Sequence, residues 1–432
     1  MAWGELSMIQ ESEYKKRREK LSLKLAKNSV AVVLSAEQKT RSNDTEFPFR
    51  QNSNFYYLTG FREDNSALVF IKHKKKTRVY LFVEHKDETL ELWHGKRLGD
   101  KEAKKRFLVD DVFVIGELES KLKKFSKNKS TLYYDFNLEK KRSKLLKNSS
   151  KKIRTYKDAS LLINKMRLIK SKAEIKLIKK AISITKEAHH KAMASAKKDM
   201  YEYQLQAQIE YVFKNNGAYS DAYTSIVACG DAANTLHYIS NDKPLVDGKL
   251  ILIDAGCEYE YYASDITRTI PVSGIYTKAQ KKLYNMVLDV QLKIIKMIKP
   301  SVFRSDLQKK SVELLSQGLL DLGILKGSLK KVIKKEKYKK YYPHGIGHWM
   351  GIDVHDEAPY KDKKDKEIAL QKGMVLTIEP AIYLGELDKK VPKKYRGIGI
   401  RIEDDILVTK NGYKNLSSGI AKTIKKIEKL SS

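Results

Sequence analysis

Cysteine is nearly absent. Only Cys229 and Cys257 occur in 432 residues, too few for a disulfide framework or a thiolate-held metal. Cys257 has no paired base beside it and reads as a small buried hydrophobe. Long apolar runs are missing as well. No stretch approaches the ~18 apolar residues that a membrane-spanning helix needs, so no membrane partner is expected. The opening residues, MAWGELSMIQESEYKKRREK, carry charge with no apolar stretch behind it, so no secretory signal is expected. Together these absences point to a reducing, cytoplasmic setting. There is no low-complexity linker and no short repeat. Acids are outnumbered: 53 Asp and Glu face 86 Lys and Arg, leaving a net charge of +33. Such an excess would suit a nucleic acid or an anionic membrane. The lysines are spread along the whole chain, however, without a nucleic-acid module or zinc-finger spacing. Solvated surface lysines and no specific nucleic-acid partner are the expectation.

What is present is enough apolar material, 41% of residues, to build two or three cores in a chain of this length. VAVVLS (30–35), SALVFIK (66–72) and RVYLFVE (78–84) read as buried strands. They alternate with charged helical segments such as ESEYKKRREKLSLKLAKN, the pattern of an α/β domain. A boundary falls near residues 167–171, giving domains over 1–168 and 169–432. Ser171 and Glu174 form a capping-box signature ahead of Ile175, Ile178, Ala181, Ile182 and Thr185 at helical spacing. A second helix is predicted over about 202–216, stopping at Gly217. Strands follow through 223–272, then a helical block at about 277–336, then strands to about 409.

The chemistry gathers in this second half. KLILIDAG is an apolar run ending in Asp254, the pattern of a buried strand. A hairpin centred between Tyr259 and Glu260 would place Asp254 opposite Asp265 on one face. Two bare carboxylates there would repel, and a cation between them would remove the repulsion. In GIRIEDD, alternation puts Arg401 and Glu403 on one face and Ile400 and Ile402 on the other. MVLTIEP ends a further apolar run at Glu379, where Pro380 removes an N–H. HGIGHWMGIDVHD holds His344, His348 and His355, three of only nine histidines. The spacing of the first two suggests a helical zinc pair, but the glutamate of HExxH is missing and two glycines argue for a loop. His237, in TLHYI, is a further candidate. Four carboxylates and one imidazole balance two divalent ions in charge. In that field a bridging water would lose a proton readily, giving a hydroxide nucleophile near neutral pH. The oxygen-rich set favours Mn, Co or Fe, with Mn first.

From about residue 170 to 408 the chain resembles the pita-bread metallopeptidases, the family of methionine aminopeptidase, prolidase and Xaa-Pro aminopeptidase. LHY, LIDAGCEYEYYASDITRT, HGIGHWMGIDVHD, TIEPAIY and YRGIGIRIEDD carry the likeness, in the family's order. PFRQNSNFYYLTGF (48–61) and ELWHGKRLG (91–99) resemble the amino-terminal domain of the Xaa-Pro aminopeptidases, also called aminopeptidase P. The resemblance implies an amino-terminal creatinase-like α/β domain, serving substrate access and oligomerisation, before a pita-bread catalytic domain. It implies a metal set of Asp254, Asp265, His348, Glu379 and Glu403, with Asp265 and Glu403 bridging. It also implies that Glu379 shuttles the proton to the leaving prolyl nitrogen, and that His355 or His237 helps to stabilise the oxyanion. His237, His344, His355 and Arg401 would line the substrate pocket, and Trp93 would close the prolyl end from a neighbouring subunit. The implied activity is release of the first residue from peptides with proline second, by a homodimer or homotetramer. Two positions depart from the family pattern: Asn54 stands where Asp is frequent, and Ala381 where Gly is common. Prolidase, restricted to dipeptides, is the nearest competing activity. A non-catalytic pita-bread module binding RNA or protein through its basic surface is the competitor from another class.

Overall fold

The computed structural model describes residues 9–431 and divides into two compact units, Met1–Arg167 and Leu168–Ser432. The first is built on a six-stranded mixed sheet. Its order is Asp111–Val114, Thr77–Val83, Ala67–Lys72, Ser29–Leu34, Thr131–Tyr134, Thr155–Asp158. The central strands are apolar almost throughout because helices cover the sheet, and Val30, Val32, Val69 and Phe82 lie in one buried cluster. The helix Glu11–Lys24 buries two arginines. Arg17 and Arg18 donate to the carbonyls of Tyr57 and Leu58, at 3.0 and 2.9 Å. Those carbonyls end the helix Ser53–Thr59, so buried guanidinium groups satisfy acceptors that the helix cannot. Asn54 is buried here too, and its Oδ1 accepts from Arg167 at 2.9 Å. An amide oxygen thus fills the acceptor role an aspartate would have.

The second unit packs short antiparallel strands against four long helices, Lys172–Ser195, Glu202–Asn215, Lys278–Met297 and Arg304–Asp321. The first of these begins where expected. The Ser171 hydroxyl accepts from the Glu174 N–H, and the Glu174 carboxylate accepts from the Ser171 N–H. Its apolar stripe, with Ala181, Ile184 and Ala188, joins one large core that also takes in Leu250, Ile251 and Ile253. The helix Glu202–Asn215 gives way to Gly217 at φ +77°, a left-handed stop that glycine adopts readily. No helix of the described residues is long and apolar enough to cross a membrane.

Strand Leu250–Asp254 runs antiparallel between Ile226–Cys229 and Thr267–Pro271. Here the hairpin register departs from the predicted one. The turn residues are Glu260 and Tyr261, both left-handed at φ +50° and +68°, and Tyr259 pairs with Tyr262. Asp254 therefore lies opposite Thr267, not Asp265. The slip is two residues, which preserves side-chain parity. Asp265 still faces the same side as Asp254 and is displaced along the strand. No glycine or asparagine marks this turn, so its centre carried no sequence signal.

Candidate metal centre

The carboxylates meet because three backbones end against one another. Past Asp254 the chain passes Gly256, where a Cβ would sit 1.9 Å from the Ser264 carbonyl oxygen. Only glycine allows the two arms of the hairpin to come that close. Gly347 does the same for the histidine loop: a Cβ there would lie 1.9 Å from the Thr377 carbonyl oxygen. The HGIGHWM segment is a loop, as its glycines suggest, and the Thr377 and Glu379 N–H groups donate to the His348 and Ile346 carbonyls. Lys170 and Asp356 pin the far end of that loop through a 2.8 Å ion pair, both side chains 1% exposed.

The result is a cleft of about 480 Å³. All five predicted ligands line it, together with His237, His344, His355 and Arg401. Trp93 is not among the lining residues. It lies in the amino-terminal unit on the helix Glu88–His94, 78% exposed beside Leu90 and Leu92.

Asp265, His348 and Glu403 each present a ligand atom within 4.8 Å of the other two. His348 Nδ1–H donates to the Trp349 carbonyl at 3.0 Å, which turns Nε2 towards Asp265 at 3.2 Å and Glu379 at 3.8 Å. That is the orientation a metal-binding imidazole needs. Asp254 is held from both sides: Tyr223 Oη donates to Oδ1 and Arg401 Nη2 to Oδ2, each at 2.6 Å. Arg401 also reaches the Tyr383 hydroxyl at 2.7 Å and Thr267 Oγ1 at 3.1 Å. Thr267 in turn donates to Glu403 at 2.7 Å. His344 Nδ1–H donates to the Gly345 carbonyl, leaving Nε2 to accept from Tyr383 Oη at 3.0 Å. Burial holds His344 down at about 4, so at neutral pH its 3.9 Å approach to Glu379 is not an ion pair. His355 packs edge-on against His348, ring centroids 4.2 Å apart.

The electrostatics call for added positive charge. Burial, then repulsion from the neighbouring acids, lifts the Glu403 carboxyl well above its usual range. Burial raises Asp254 despite Arg401. Burial pushes Glu379 up to about 7 although His348 and Arg401 oppose the shift. His348 answers in the other direction. Burial disfavours its cation, but the Asp265 hydrogen bond and the Asp265 and Glu379 charges raise it to about 9. Four carboxylates facing one guanidinium and one imidazole are short of cations, and hard divalent ions fit both the charge and the oxygen-rich donors.

Several contributors carried no signal in the reading of the sequence. Tyr223 and Thr267 orient Asp254 and Glu403 through their hydroxyls, and the Tyr383 hydroxyl holds Arg401 and His344, roles that residue type and spacing did not show. Asp405 was legible in principle, since alternation from Arg401 and Glu403 puts it on the same face. It is wholly buried, its Oδ2 accepts from the Asp265 N–H at 3.1 Å, and its Oδ1 has no hydrogen-bond partner. Asp404 points the other way. Arg268 reaches it at 2.8 Å and Lys422 also bonds to it.

Comparison with known proteins agrees with this geometry. Residues 176–410 match metallopeptidase family M24, and residues 14–133 match the aminopeptidase P N-terminal domain. The chain is 39% identical over 425 residues to a Xaa-Pro aminopeptidase of Haemophilus influenzae, covering 98% of each. It is 37% identical over 438 residues to a Xaa-Pro aminopeptidase of Escherichia coli, again 98% of each. The structure of proline aminopeptidase P II from Yersinia pestis matches at a TM-score of 0.94 and 37% identity, covering 98% of this chain and 99% of that one. Escherichia coli aminopeptidase P with the inhibitor Pro-Leu matches at 0.94 and 37%, with 98% of both covered. The fold and the cleft are those of a metal-dependent peptidase. The chain belongs to metallopeptidase family M24 and, within it, to the Xaa-Pro aminopeptidases.

Proposed function

We propose that the protein releases the amino-terminal residue from peptides with proline in second position, using two divalent ions held by Asp254, Asp265, His348, Glu379 and Glu403. The observation that carries this is the convergence of those five side chains in one cleft of a chain that matches Xaa-Pro aminopeptidases along 98% of its length. The position of Asp265 and Glu403 in the tightest cluster supports a bridging role for both. Mn is the first choice of metal on donor chemistry. When bound, the ions would supply the Lewis acidity that activates water and polarises the scissile carbonyl.

The chain's own residues do the rest. Arg401 fixes Asp254 and, through Tyr383, the neutral His344. That places a preorganised imidazole on the wall where substrate must lie. His237 and His355 stand exposed at the cleft, free to contact the peptide and the oxygen that becomes negative. Glu379, between His344 and His348, carries the proton destined for the prolyl nitrogen. An Xaa-Pro bond has no N–H, and its proline fixes φ. A site that grips the ring and the free amino terminus selects it where a protease relying on that N–H would not.

Exposed Leu90, Leu92 and Trp93 on one short helix support a dimer or tetramer in which Trp93 closes the prolyl pocket of a neighbouring copy. Trp93→Ala should weaken both assembly and activity, and a variant unchanged in sedimentation and rate removes that role. The activity is tested with a peptide panel assayed under Mn, Co and Zn after chelator stripping. Turnover of Xaa-Pro-Yaa tripeptides is expected. Turnover of Xaa-Pro dipeptides alone would make the protein a prolidase. Inactivity under every metal, with tight RNA binding that persists at physiological salt, would favour a binding module.

A further inference from the structure

Two lysine-rich stretches flank the histidine wall of the cleft, and the reaction uses neither. Residues 330–340 hold seven lysines against one acid, Glu336, and residues 386–396 hold four lysines and an arginine against Glu386 and Asp388. Basic stretches occur elsewhere: residues 140–157 carry seven lysines, two arginines and no acid. Charge alone therefore does not single these two out. Their place does. Residues 330–340 run directly into Tyr341 and Tyr342, and the Tyr342 ring packs edge-on against His344 at 5.1 Å. Residues 386–396 form the loop between strands Ala381–Leu384 and Ile398–Arg401, the first of which carries Tyr383 into the cleft. The two stretches are tied together. Asp388 accepts from Lys340 at 2.5 Å and from Tyr341 Oη at 3.0 Å, while the Tyr383 N–H donates to the Tyr341 carbonyl at 3.0 Å. On its other side the loop meets the segment leading to His237, because the Glu386 N–H donates to Asp231 at 2.8 Å. The loop is thus held between the approaches to His237 and His344, both of which line the cleft.

Lys334, Lys335, Lys337, Lys389, Lys390, Lys393 and Lys394 are all exposed. Among the described residues none of the seven has a carboxylate partner within salt-bridge distance. Of these, Lys337 lies seven residues from His344, and Lys389 six from Tyr383. At ~3.4 Å per residue that is at most about 24 and 20 Å of chain. A bound peptide leaving the proline pocket covers the same distance in at most about six to seven residues.

We infer that the protein favours Xaa-Pro peptides carrying acidic residues in the positions that follow proline. The inference rests on the Xaa-Pro reading of the cleft and extends it. The charges are exposed and stand outside the set of residues that line the cleft. They act on capture of the peptide, through KM, and not on the chemical step.

The test uses the full-length, metal-reconstituted protein and three pentapeptides: Ala-Pro followed by three glutamates, three glutamines or three lysines. At about 20 mM salt, kcat/KM is expected to rank acidic over neutral over basic, with about fivefold between the first two, falling towards equality at about 500 mM. The readout is the acidic-to-neutral ratio within each enzyme. Replacing Lys389, Lys390, Lys393 and Lys394 with Ser should bring that ratio most of the way to one. Replacing Lys334, Lys335 and Lys337 with Ser should lower it part-way. Replacing Lys140, Lys141, Lys144 and Lys147 with Ser removes equal charge from the amino-terminal unit and should leave the ratio standing. Equal rates on all three peptides at low salt would overturn the inference. So would a ratio that falls alike in the 389–394 and 140–147 variants, which would assign the effect to the general field of the molecule. Failure to cleave even the neutral peptide, with other sequences cleaved, would instead remove the Xaa-Pro reading and this inference with it.

Discussion

At the scale of single residues, the cleft treats its acids unequally. Both oxygens of Asp254 already accept strong hydrogen bonds from protein groups, Tyr223 and Arg401. Asp265 has the Nε2 face of His348 before it and Glu403 beside it, and its N–H is anchored by Asp405. Removing Asp265 takes a carboxylate from the cluster it forms with His348 and Glu403, where the two proposed ions would share ligands. Removing Asp254 takes one from outside that cluster. Asp265→Ala is therefore expected to purify with neither ion retained after dialysis, and Asp254→Ala with one retained, as counted by elemental analysis. Equal loss in the two variants would mean that the asymmetry has no bearing on the metals. The neighbours Asp404 and Asp405 make the same point about environment. Burial opposes ionisation of both. Arg268 and Lys422 outweigh it at Asp404 and hold that carboxyl below its usual range. At Asp405 burial and repulsion from Asp265 act together and lift it well above.

At the scale of elements, one irregular wall of the cleft is firmly tied. Residues 235–249 form neither helix nor strand, yet Leu236, His237 and Ile239 from this segment line the cleft. The helix Glu202–Asn215 fixes it with two side chains one turn apart. The fully buried Glu202 carboxylate accepts from the Cys229 N–H, the Tyr238 hydroxyl and the Lys243 N–H, at 2.7, 2.7 and 3.0 Å. Gln206 accepts from the Asn241 amide at 2.8 Å, while Asn241 Oδ1 accepts from the Val227 N–H at 2.9 Å. Whichever way its amide turns, Glu202→Gln would set an N–H₂ against a backbone N–H, that of Cys229 or that of Lys243, leaving a buried donor unpaired at a cost of about 1–3 kcal/mol. The expected outcome is a KM for Xaa-Pro peptides raised about tenfold, equivalent to about 1.4 kcal/mol. The change in kcat should be smaller, and amide exchange over 235–243 faster. Exchange unchanged in that segment would make Glu202 a stability residue only. This clamp was not legible in the sequence, because a buried glutamate on a helix looks like any solvated one until its partners are known. The four acids and the histidine of the cleft were legible, because each lies at or near the end of an apolar run where a charged residue needs a reason. The hairpin register was not. Its turn is made by Glu260 and Tyr261, residue types that give no hint of a left-handed backbone, so only the face of Asp265, and not its partner, could be read.

At the scale of the whole molecule, the second unit hides a titratable group that ties its stability to pH. His189 lies on the helix Lys172–Ser195, fully buried, with Nε2 2.9 Å from the Ala255 carbonyl oxygen, one residue past Asp254. Burial outweighs that bond, and the nearby Arg268 charge adds to it, pushing the imidazole from an ordinary 6.5 down to about 3. The sign follows from proton counting. Between about pH 6.5 and 3 the unfolded chain binds a proton at His189 that the folded chain refuses, so stability rises with pH in that window. The contribution is complete above pH 6.5 and is lost progressively as the pH falls towards 3. The slope attributable to one such proton is about 1.4 kcal/mol per pH unit. Gln at this position can still donate an N–H to the Ala255 carbonyl but cannot titrate. His189→Gln is therefore expected to lose some stability at pH 7.5, yet to show a shallower decline in urea midpoint between pH 6 and 4 than the parent chain. Parallel declines in the two proteins would mean that His189 is protonated in the folded state, and that the helix it sits on has room for the charge.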